Sequence, residues 1–376
     1  MFFQASIETK NSPISSVKLH LFNPENDLAL GLGCRNYTPP PHAAAIHRAG
    51  SLLPFWWAEE GDRILAPASM KSEAERLRDS FGLSGQIYDH NAEQIEPMPW
   101  GWSLDAKRQF LNAGVYEGFL PSDSHIERIR DLSHRRMSIR ILQGLGSDYP
   151  LPVETADATT AVELERLNPG CFIKSPWSGS GRGVFCASSL NETALRKRVE
   201  GIIHRQGSVM IERGLDKRLD FAALFHASNG RVIFKGWSVF KAEARGMYSG
   251  NVVAPQDTLK AIIAEYIAPE TLDAVAARLE TILTGLLETD YDGWLGIDMM
   301  AYCEDGIMKL MPCVELNLRM TMGVAAMKIC ERLSVQDMRL LAWHHGRETE
   351  ICGSATILLP PTDGFTLSLT PLSNSF

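Results

Sequence analysis

The sequence lacks an excess of basic residues, which argues against a general nucleic-acid binder. Lys and Arg together number 37 and Asp and Glu 45, so the formal net charge is -8 at pH 7. Proteins that bind nucleic acids usually carry a basic patch. In a chain with this acidic balance, a polyanionic ligand must be met by individual Lys and Arg side chains placed close to it.

Paired cysteines and long apolar runs are missing as well. The seven cysteines include no CxxC pair and show no ligand spacing of a zinc site, a pattern that fits reduced thiols. No window approaches about 18 consecutive apolar residues, and residues 1–22 do not have the pattern of a signal peptide. We therefore expect a cytoplasmic protein with no membrane span and no nucleic-acid partner.

The 376 residues contain no internal repeat and predict two or three domains of mixed α/β and α+β character. Strand patterns at 17–22 and 63–67, a helix that ends at Gly82 and one more apolar stretch predict a small parallel α/β unit. A pair of prolines marks a domain boundary near 147–152.

Helix and hairpin patterns flank and follow this boundary. Apolar residues three and four apart predict one helix over 124–146, and we interpret 334–345 as another helix near the end of the chain. The dipeptides Asn229-Gly230 and Asp305-Gly306 predict hairpin turns between pairs of long strands.

A glycine-rich loop follows a short buried strand in the segment FIKSPWSGSGRGV. Lys174 lies at the end of the strand, and glycines stand at 179, 181 and 183. Glycines let backbone N–H groups turn towards a phosphate, and the lysine adds a fixed positive charge. The order of lysine and glycines excludes a Walker A loop. Taken alone, the segment fits a glycine-rich hairpin with a surface lysine equally well.

Two carboxylates lie in apolar strands on either side of a predicted hairpin. Asp298 in LGIDMM and Glu315 in VELNL should lie on adjacent antiparallel strands, with Asn317 on the same face as Glu315. Buried carboxylates are costly unless they are paired or bound to a cation, and three oxygen ligands suit Mg²⁺. The alternative is a carboxylate that forms a salt bridge with Arg319.

A third segment, VMIERGLDKRLDFAAL, joins two strands through a short charged linker. The first strand reaches Glu212, and the next begins near Asp220. By itself this pattern favours a solvated loop.

In this chain order, the three segments resemble the ATP-grasp superfamily between about residues 135 and 322. The small α/β unit before them resembles the Rossmann-like pre-ATP-grasp domain of such proteins. The resemblance implies an N-terminal domain over 1–121 and an ATP-grasp module over 122–330. Within the module we expect a lid subdomain at about 150–211 and a larger subdomain at about 212–330. Residues 331–376 are expected to form a helix and a tail packed on the module.

The resemblance implies ATP as a cofactor and assigns residues to its parts. Lys174 would contact the phosphates, and the lid over them would consist of Ser178, Gly179, Ser180, Gly181 and Gly183. Glu212, with the backbone of Arg213 and Leu215, would bind adenine, and Asp220 would bind the ribose hydroxyls. Many family members have a second phosphate-binding lysine, which here is replaced by Arg136, with Arg135 as the near alternative.

The resemblance also implies Mg²⁺ (or Mn²⁺) held by Asp298, Glu315 and Asn317. Arg319 matches an arginine aimed at the transferred phosphate or at an acyl phosphate. Lys241 or Arg245 would reach the γ-phosphate from the loop between two strands.

The reaction that the resemblance implies is ATP-dependent formation of an amide between a carboxylate and an amine through an acyl phosphate. Its substrates would be small or peptide-like molecules, and a homodimer stays open. Two alternatives remain: an ATP-grasp kinase that phosphorylates a small molecule, and an inactive fold that serves as a binding module. The sequence does not show the acceptor.

The segment FNPENDLALGLG supports two interpretations. Asn23, Glu25, Asn26 and Asp27 follow the first strand at the carboxyl edge of the predicted sheet, where open α/β sheets bind ligands, so they could hold the acceptor substrate. A polar turn with a helix N-cap explains them as well. The aromatic cluster at 55–57 is interpreted as core or interdomain packing, and His134 as a surface or hydrogen-bonded histidine.

Overall fold

The computed structural model describes residues 17–90, 94–146, 148–179, 181, 183–242, 248–346 and 353–372. Within these ranges the chain forms three sheets, one parallel and four-stranded, one antiparallel and four-stranded, and one of eight strands. The mixed α/β and α+β class predicted from the sequence is confirmed. No helix in the described part is long and apolar enough to cross a membrane.

The N-terminal unit is built around a parallel sheet, as the sequence predicts. Its elements are β1 (Val17–Leu21), α1 (Asn26–Leu32), α2 (Pro41–Ala49), β2 (Arg63–Ile64), α3 (Lys71–Phe81), β3 (Gln86–Ile87), β4 (Ile95–Pro99) and α4 (Leu104–Asn112). The strand order is β3-β2-β1-β4. Gly82 ends α3 in the left-handed conformation, at φ 60°, where glycine carries no Cβ penalty. Single turns of 3-10 helix lie at Leu53–Trp56, Ala68–Met70 and Glu117–Phe119.

The predicted single helix over 124–146 is wrong, because the chain forms two helices there. They are α5 (Asp123–Leu132) and α6 (Met137–Leu145). The backbone N–H of Arg135 donates to the carbonyl of Pro176 at 3.1 Å instead of to a carbonyl one turn earlier. This long-range bond interrupts the helical ladder and places the break next to the glycine-rich loop.

A small antiparallel sheet follows, with two helices packed on it. Its elements are β5 (Val153–Thr155), α7 (Ala158–Leu167), β6 (Phe172–Lys174), β7 (Val184–Cys186), α8 (Glu192–Gln206) and β8 (Val209–Glu212), with one 3-10 turn at Ala187–Ser189. The strand order is β5-β8-β6-β7. Asp157 and Asn191 cap α7 and α8 through side-chain hydrogen bonds, which satisfy free N–H groups of the first turns.

The large sheet has the strand order β13-β12-β9-β10-β11-β14-β16-β15. Its strands and helices are β9 (Asp216–Ser228), β10 (Arg231–Ala242), β11 (Tyr248–Val253), α9 (Gln256–Ala264), α10 (Pro269–Leu287), β12 (Gly293–Glu304), β13 (Ile307–Asn317), α11 (Met322–Leu333), β14 (Arg339–His345), β15 (Thr356–Thr362) and β16 (Phe365–Pro371). Both predicted hairpins are confirmed. Their turn residues have positive φ, at 51° and 70° for Asn229-Gly230 and at 52° and 76° for Asp305-Gly306.

The alternation of side chains along β9 separates two faces of the large sheet. Phe221, Ala223 and Phe225 belong to the apolar core that α6 and α10 cover. Ala222 and Leu224 point to the opposite face and pack in the cluster that contains α11. That cluster also contains Phe55 and Trp56 of the N-terminal unit, so the predicted packing role of these aromatic residues is confirmed.

The predicted helix over 334–345 is also wrong. The last helix of the described residues is α11, and Ser334 ends it in the left-handed conformation at φ 49°. Residues Arg339–His345 form β14, which lies between β11 and β16 and bonds to both. Within the described residues, the segment after α11 therefore extends the large sheet by three strands and does not form the expected helix and tail.

Candidate active site

A cleft of about 340 Å³ lies where the small sheet faces the large one. One end has apolar walls formed by Pro150, Pro152, Phe172, Val184, Met300, Met311 and Val314. Further along, the cleft is lined by charged side chains from β6, β8, β9, β12 and β13. Its other end is formed by residues of β10 and β11 and by the first turn of α11.

Asp298 and Glu315 lie on adjacent antiparallel strands, as the sequence predicts. They are direct register partners on β12 and β13, and both line the cleft. Burial and the neighbouring charge of Glu315 raise the pKa of Asp298 to about 7. Burial also raises the pKa of Glu315, although Arg135 opposes this shift with a contact of 2.8 Å between Nη1 and Oε2. Asn317 lies two residues after Glu315 on the same face of β13 and also lines the cleft.

This group of side chains fits a hard divalent cation. Two neighbouring carboxylates whose pKa values are both raised by burial would ionise readily if a cation lay between them. Carboxylate and amide oxygens are the donors that Mg²⁺ prefers. In the described part of the chain no three or more His, Cys, Asp or Glu side chains group to hold a metal. The remaining ligands would thus be oxygens of a bound phosphate and of water.

Lys174 is buried in the cleft, which excludes its interpretation as a surface lysine. It lies at the end of β6, is 7% exposed and forms an ion pair with Glu212 at the end of β8. Lys217 and Asp220 form a second pair on β9, at 2.6 Å between Nζ and Oδ2. Burial raises the pKa of Asp220. The cleft therefore holds both cations and carboxylates.

The glycine-rich loop starts from a firmly held backbone. Ser175 donates its N–H to the carbonyl of Gly183 at 2.8 Å, which closes the base of the loop. Gly183 has φ 78°, and a Cβ there would lie 2.8 Å from Ser175 Oγ, so this position requires glycine. Ser178 is buried, and Gly179 and Gly181 line the cleft. Ser180 lies outside the described residues.

Trp177 anchors the first part of this loop to the neighbouring helices. Its backbone N–H and carbonyl bind the side-chain amide of Gln206, each at 3.1 Å. Its indole N–H donates to the carbonyl of Arg130 at 2.9 Å, and the Arg130 guanidinium lies over the ring at 4.2 Å. These contacts fix the backbone at Trp177, where the loop begins.

No protein-family model and no curated protein matches the sequence. Solved structures do match. The biotin carboxylase domain of the 2-oxoglutarate carboxylase of Hydrogenobacter thermophilus, a dimer in complex with MgADP, ADP and bicarbonate, has a TM-score of 0.53 and 12% identity, with 96% of this chain and 87% of that chain covered. A protein of Archaeoglobus fulgidus described within the ATP-grasp superfamily has a TM-score of 0.50 and 12% identity, with 95% and 100% covered.

This chain has the ATP-grasp fold. The phosphoribosylamine–glycine ligase of Thermotoga maritima has the same fold, with a TM-score of 0.52, 12% identity, and 95% of this chain and 90% of that chain covered. At these identities the likeness establishes the architecture, and the roles of individual residues have to be argued from their geometry.

In this ATP-grasp fold the structure separates Arg135 from Arg136. Arg135 is buried in the cleft and donates to the carbonyls of Ser175 at 2.9 Å and Ser178 at 3.2 Å. Arg136 is half-exposed and lies 3.6 Å from Glu154, beside a separate surface cavity. The near alternative, Arg135, is therefore the one that the fold brings to the phosphate-binding candidates.

The remaining residues that the sequence predicted for the ATP-grasp cleft do not all line it. Arg213 and Leu215 line its apolar end beside Glu212. Lys241 is not among the described residues that line the cleft, because Phe240 and Ala242 take the cleft-facing positions of β10. Arg245 lies outside the described residues.

In the segment FNPENDLALGLG, some side chains bind other parts of the N-terminal unit and one reaches towards the cleft. Asn23 hydrogen-bonds with the backbone of Gly101, and Glu25 with His47 at 2.7 Å. Glu25 precedes α1 but makes no side-chain cap bond. Asp27 reaches across to Arg319 of the cleft, with 2.9 Å between Oδ2 and Nε.

The cleft residues that the sequence reasoning missed include Ser238, Tyr248 and Asn251. Ser238 and Asn251 are buried polar residues in the strands β10 and β11. The signal that could have found them is a polar side chain on the same strand face as other cleft residues. It is weak, because strand faces can also be exposed to solvent.

Proposed function

We propose that this protein is an ATP- and Mg²⁺-dependent ligase that joins a carboxylate to an amine through an acyl phosphate. The observation that carries the proposal is the convergence of Asp298, Glu315 and Asn317 with Lys174 and Arg135 on one cleft. Carboxylates beside buried cations provide the charges needed to hold a metal ion and a triphosphate together.

ATP would lie along the cleft with its base at the apolar end. Phe172 and Met300 offer apolar contact for adenine, and the linker from Glu212 to Leu215 offers polar atoms. Asp220 would accept hydrogen bonds from the ribose hydroxyls. The triphosphate would then pass Lys174 and Arg135, with Gly179 and Gly181 of the loop above it.

Two balanced steps make up the proposed reaction. A substrate carboxylate oxygen bonds to the γ-phosphorus as the bond to ADP breaks, and ADP leaves. The amine nitrogen then bonds to the acyl carbon, the carbon–oxygen bond to phosphate breaks, and the amine loses a proton. Bound Mg²⁺ would neutralise charge on the phosphates. Lys174, Arg135 and Arg319 would orient the groups and stabilise charge on the oxygens, while the loop excludes water.

The decisive experiment measures phosphate release from ATP and Mg²⁺ with pools of carboxylates, with and without added amino acids. Turnover that depends on both a carboxylate and an amine supports the ligase. A phosphorylated product that forms without an amine would instead support a small-molecule kinase with the same fold. If ATP binds but no pool produces turnover, the chain is a binding module and the proposal is wrong.

A further inference from the structure

A hydrogen-bonded chain of uncharged side chains lies in the cleft apart from the metal candidates. The hydroxyl of Tyr248 donates to Asn251 Oδ1 at 2.5 Å, and Asn251 Nδ2 donates to Ser238 Oγ at 2.7 Å. All three residues line the cleft, and Ser238 and Asn251 are each 2% exposed. The proposed ATP site does not use any of them.

The sheet register fixes where these hydrogen-bonded side chains lie relative to the proposed reaction centre. Glu315, Asp298, Ala222 and Ser238 are successive partners across β13, β12, β9 and β10. Paired residues point to the same face, so Ser238 lies in one row with the two carboxylates. Because adjacent strands are spaced by roughly 5 Å, the backbones of Asp298 and Ser238 are about 10 Å apart.

Ser238 is the last residue in this series of hydrogen bonds, and its hydroxyl does not use its own hydrogen. Ser238 Oγ accepts from Asn251, and among the hydrogen bonds of the described residues it donates to no acceptor. Its hydroxyl hydrogen is therefore available at the cleft wall. A buried hydroxyl without an acceptor is costly, so a ligand atom that accepts this hydrogen would bind favourably.

The residues next to Ser238 are small. In the row of partners, Ala222 is the only side chain between Asp298 and Ser238. At the start of α11, Gly323 packs directly against the serine, and a Cβ there would lie 2.6 Å from Ser238 Oγ. A small molecule whose carboxylate lies near Asp298 can therefore extend over Ala222 towards Ser238.

The side chains at this end of the cleft indicate that the ligand group bound there is uncharged. Tyr248, Asn251 and Ser238 carry no formal charge. Arg319, which lies just before α11, is paired with Asp27 and is assigned to the reacting oxygens in the proposed function. A phosphate would bring about two negative charges and several acceptor oxygens, which this single donor cannot satisfy.

We propose that Ser238, oriented by Asn251 and Tyr248, binds the far end of the carboxylate substrate, and that this end carries an uncharged acceptor oxygen such as an amide carbonyl. This subsite rests on the proposed function for the placement of the reacting carboxylate. It selects among carboxylic acids by the group at their other end.

The test uses acids of matched length that differ at one end. Succinamate and glutaramate carry an amide, succinate and glutarate a second carboxylate, and butyrate and valerate a methyl group. We expect the amide acids to have the lowest KM in ATP turnover. Ser238→Ala should raise their KM about 3- to 10-fold, since a neutral hydrogen bond is worth about 1 kcal/mol. The KM for ATP and the KM for the methyl acids should stay unchanged.

Two further variants complete the design. Tyr248→Phe removes the hydroxyl that donates to Asn251. It should raise the KM of the amide acids by less than Ser238→Ala does. Ser368→Ala removes a buried serine hydroxyl of the same sheet, which there hydrogen-bonds with His344 at 2.8 Å, and should leave every KM unchanged. An equal KM for amide and methyl acids in wild type and in Ser238→Ala would overturn the subsite while leaving the ligase intact.

A separate measurement distinguishes failure of the subsite from failure of the ligase. Calorimetry with Mg²⁺ and a non-hydrolysable ATP analogue measures binding of the same acids without turnover. If no acid is turned over but the amide acids bind and Ser238→Ala weakens them, the ligase is wrong and the subsite stands. If none of the acids binds, the subsite is wrong.

Discussion

Asp27 of the N-terminal unit binds Arg319, which lies two residues after the end of β13 and 292 residues further along the chain. The carboxylate accepts from Nε at 2.9 Å and lies 2.7 Å from Nη2, a two-point contact of the kind that fixes a guanidinium in one plane. Arg319 also donates to Asn317 Oδ1 at 2.8 Å. The N-terminal unit therefore sets the orientation of a metal-ligand candidate and of the arginine beside it.

Asp27→Asn should lower kcat by roughly 10- to 100-fold, because small misplacements of positioned groups carry penalties of this size. The KM for ATP should change little, since Asp27 does not line the nucleotide part of the cleft. Steady-state kinetics with varied ATP measures both. The matched control is Asp363→Asn, which weakens another pair between the same two parts of the chain, with Arg48 at 2.5 Å. Equal effects of the two variants would indicate a general loss of domain packing.

Glu315→Gln should abolish magnesium-dependent ATP turnover, with a loss of at least roughly 100-fold, because a charged metal ligand is replaced by a neutral one. The fold should stay intact, since the side chain keeps its shape. Turnover and circular dichroism at several Mg²⁺ concentrations check both statements. Glu331→Gln, an exposed residue of α11 paired with Lys328, is the control and should have no effect. Unchanged turnover in Glu315→Gln would show that the metal site is misplaced.

The structure distinguishes two adjacent arginines. Arg135→Lys should weaken ATP binding by about 10-fold or more, because lysine keeps the charge but loses the donors that hold Ser175, Ser178 and Glu315. Arg136→Lys should change binding less than about 2-fold, since an exposed ion pair is worth little. Calorimetric titration with ATP and Mg²⁺ measures both dissociation constants. A larger effect at Arg136 would reverse the assignment.

Lys174→Ala should weaken ATP binding by at least about 10-fold, since it removes a buried charge next to the proposed phosphates and leaves Glu212 unpaired. The same titration measures this. Lys260→Ala, which breaks a surface pair with Asp273, serves as the control. A normal dissociation constant in Lys174→Ala would remove that residue from the phosphate site.

The sequence predicted those parts of the site that local patterns determine. Asp298 and Glu315 could be placed on adjacent strands in advance, because the Asp305-Gly306 turn joins β12 and β13 into one hairpin. The turn alone does not pair the two residues, because the register shifts between Asp298 and Met300. The lysine before the glycine-rich loop was found for a similar reason, since strand and loop are adjacent in the sequence.

Other features depend on contacts between distant segments, which a single sequence does not reveal. The break between α5 and α6 is caused by the carbonyl of Pro176, about 40 residues further on, so the choice between Arg135 and Arg136 could not be made from helical periodicity. Strand β14 has an apolar pattern that also fits a helix, and it is a strand because β11 and β16 lie on either side of it. The contact of Asp27 with Arg319 likewise has no local signature.

His134 gives the structure a specific sensitivity to acid. It is 1% exposed and packs edge-on against Trp177 with 4.6 Å between ring centroids. Its Nδ1 accepts the backbone N–H of Arg136 at 3.0 Å, so the neutral ring carries its proton on Nε2, which makes no hydrogen bond in the described part of the chain. Burial, and then the charges of nearby arginines, lower the pKa of His134 to about 3.

This pKa lies below that of an unfolded histidine, so stability should fall as the pH decreases. Above about pH 6.5 the ring is neutral in both states. Below that value the unfolded chain takes up a proton that the folded protein cannot bind until about pH 3, and the free energy of unfolding falls by up to about 1.4 kcal/mol per pH unit from this group.

Denaturant unfolding of wild type and His134→Gln at pH 7.5, 6.5 and 5.5 tests the prediction. The variant should be less stable at pH 7.5, and the difference should shrink at pH 5.5, while His204→Gln, an exposed histidine of α8, should show no such change. A difference that stays constant across this range would show that His134 is not held neutral by the fold.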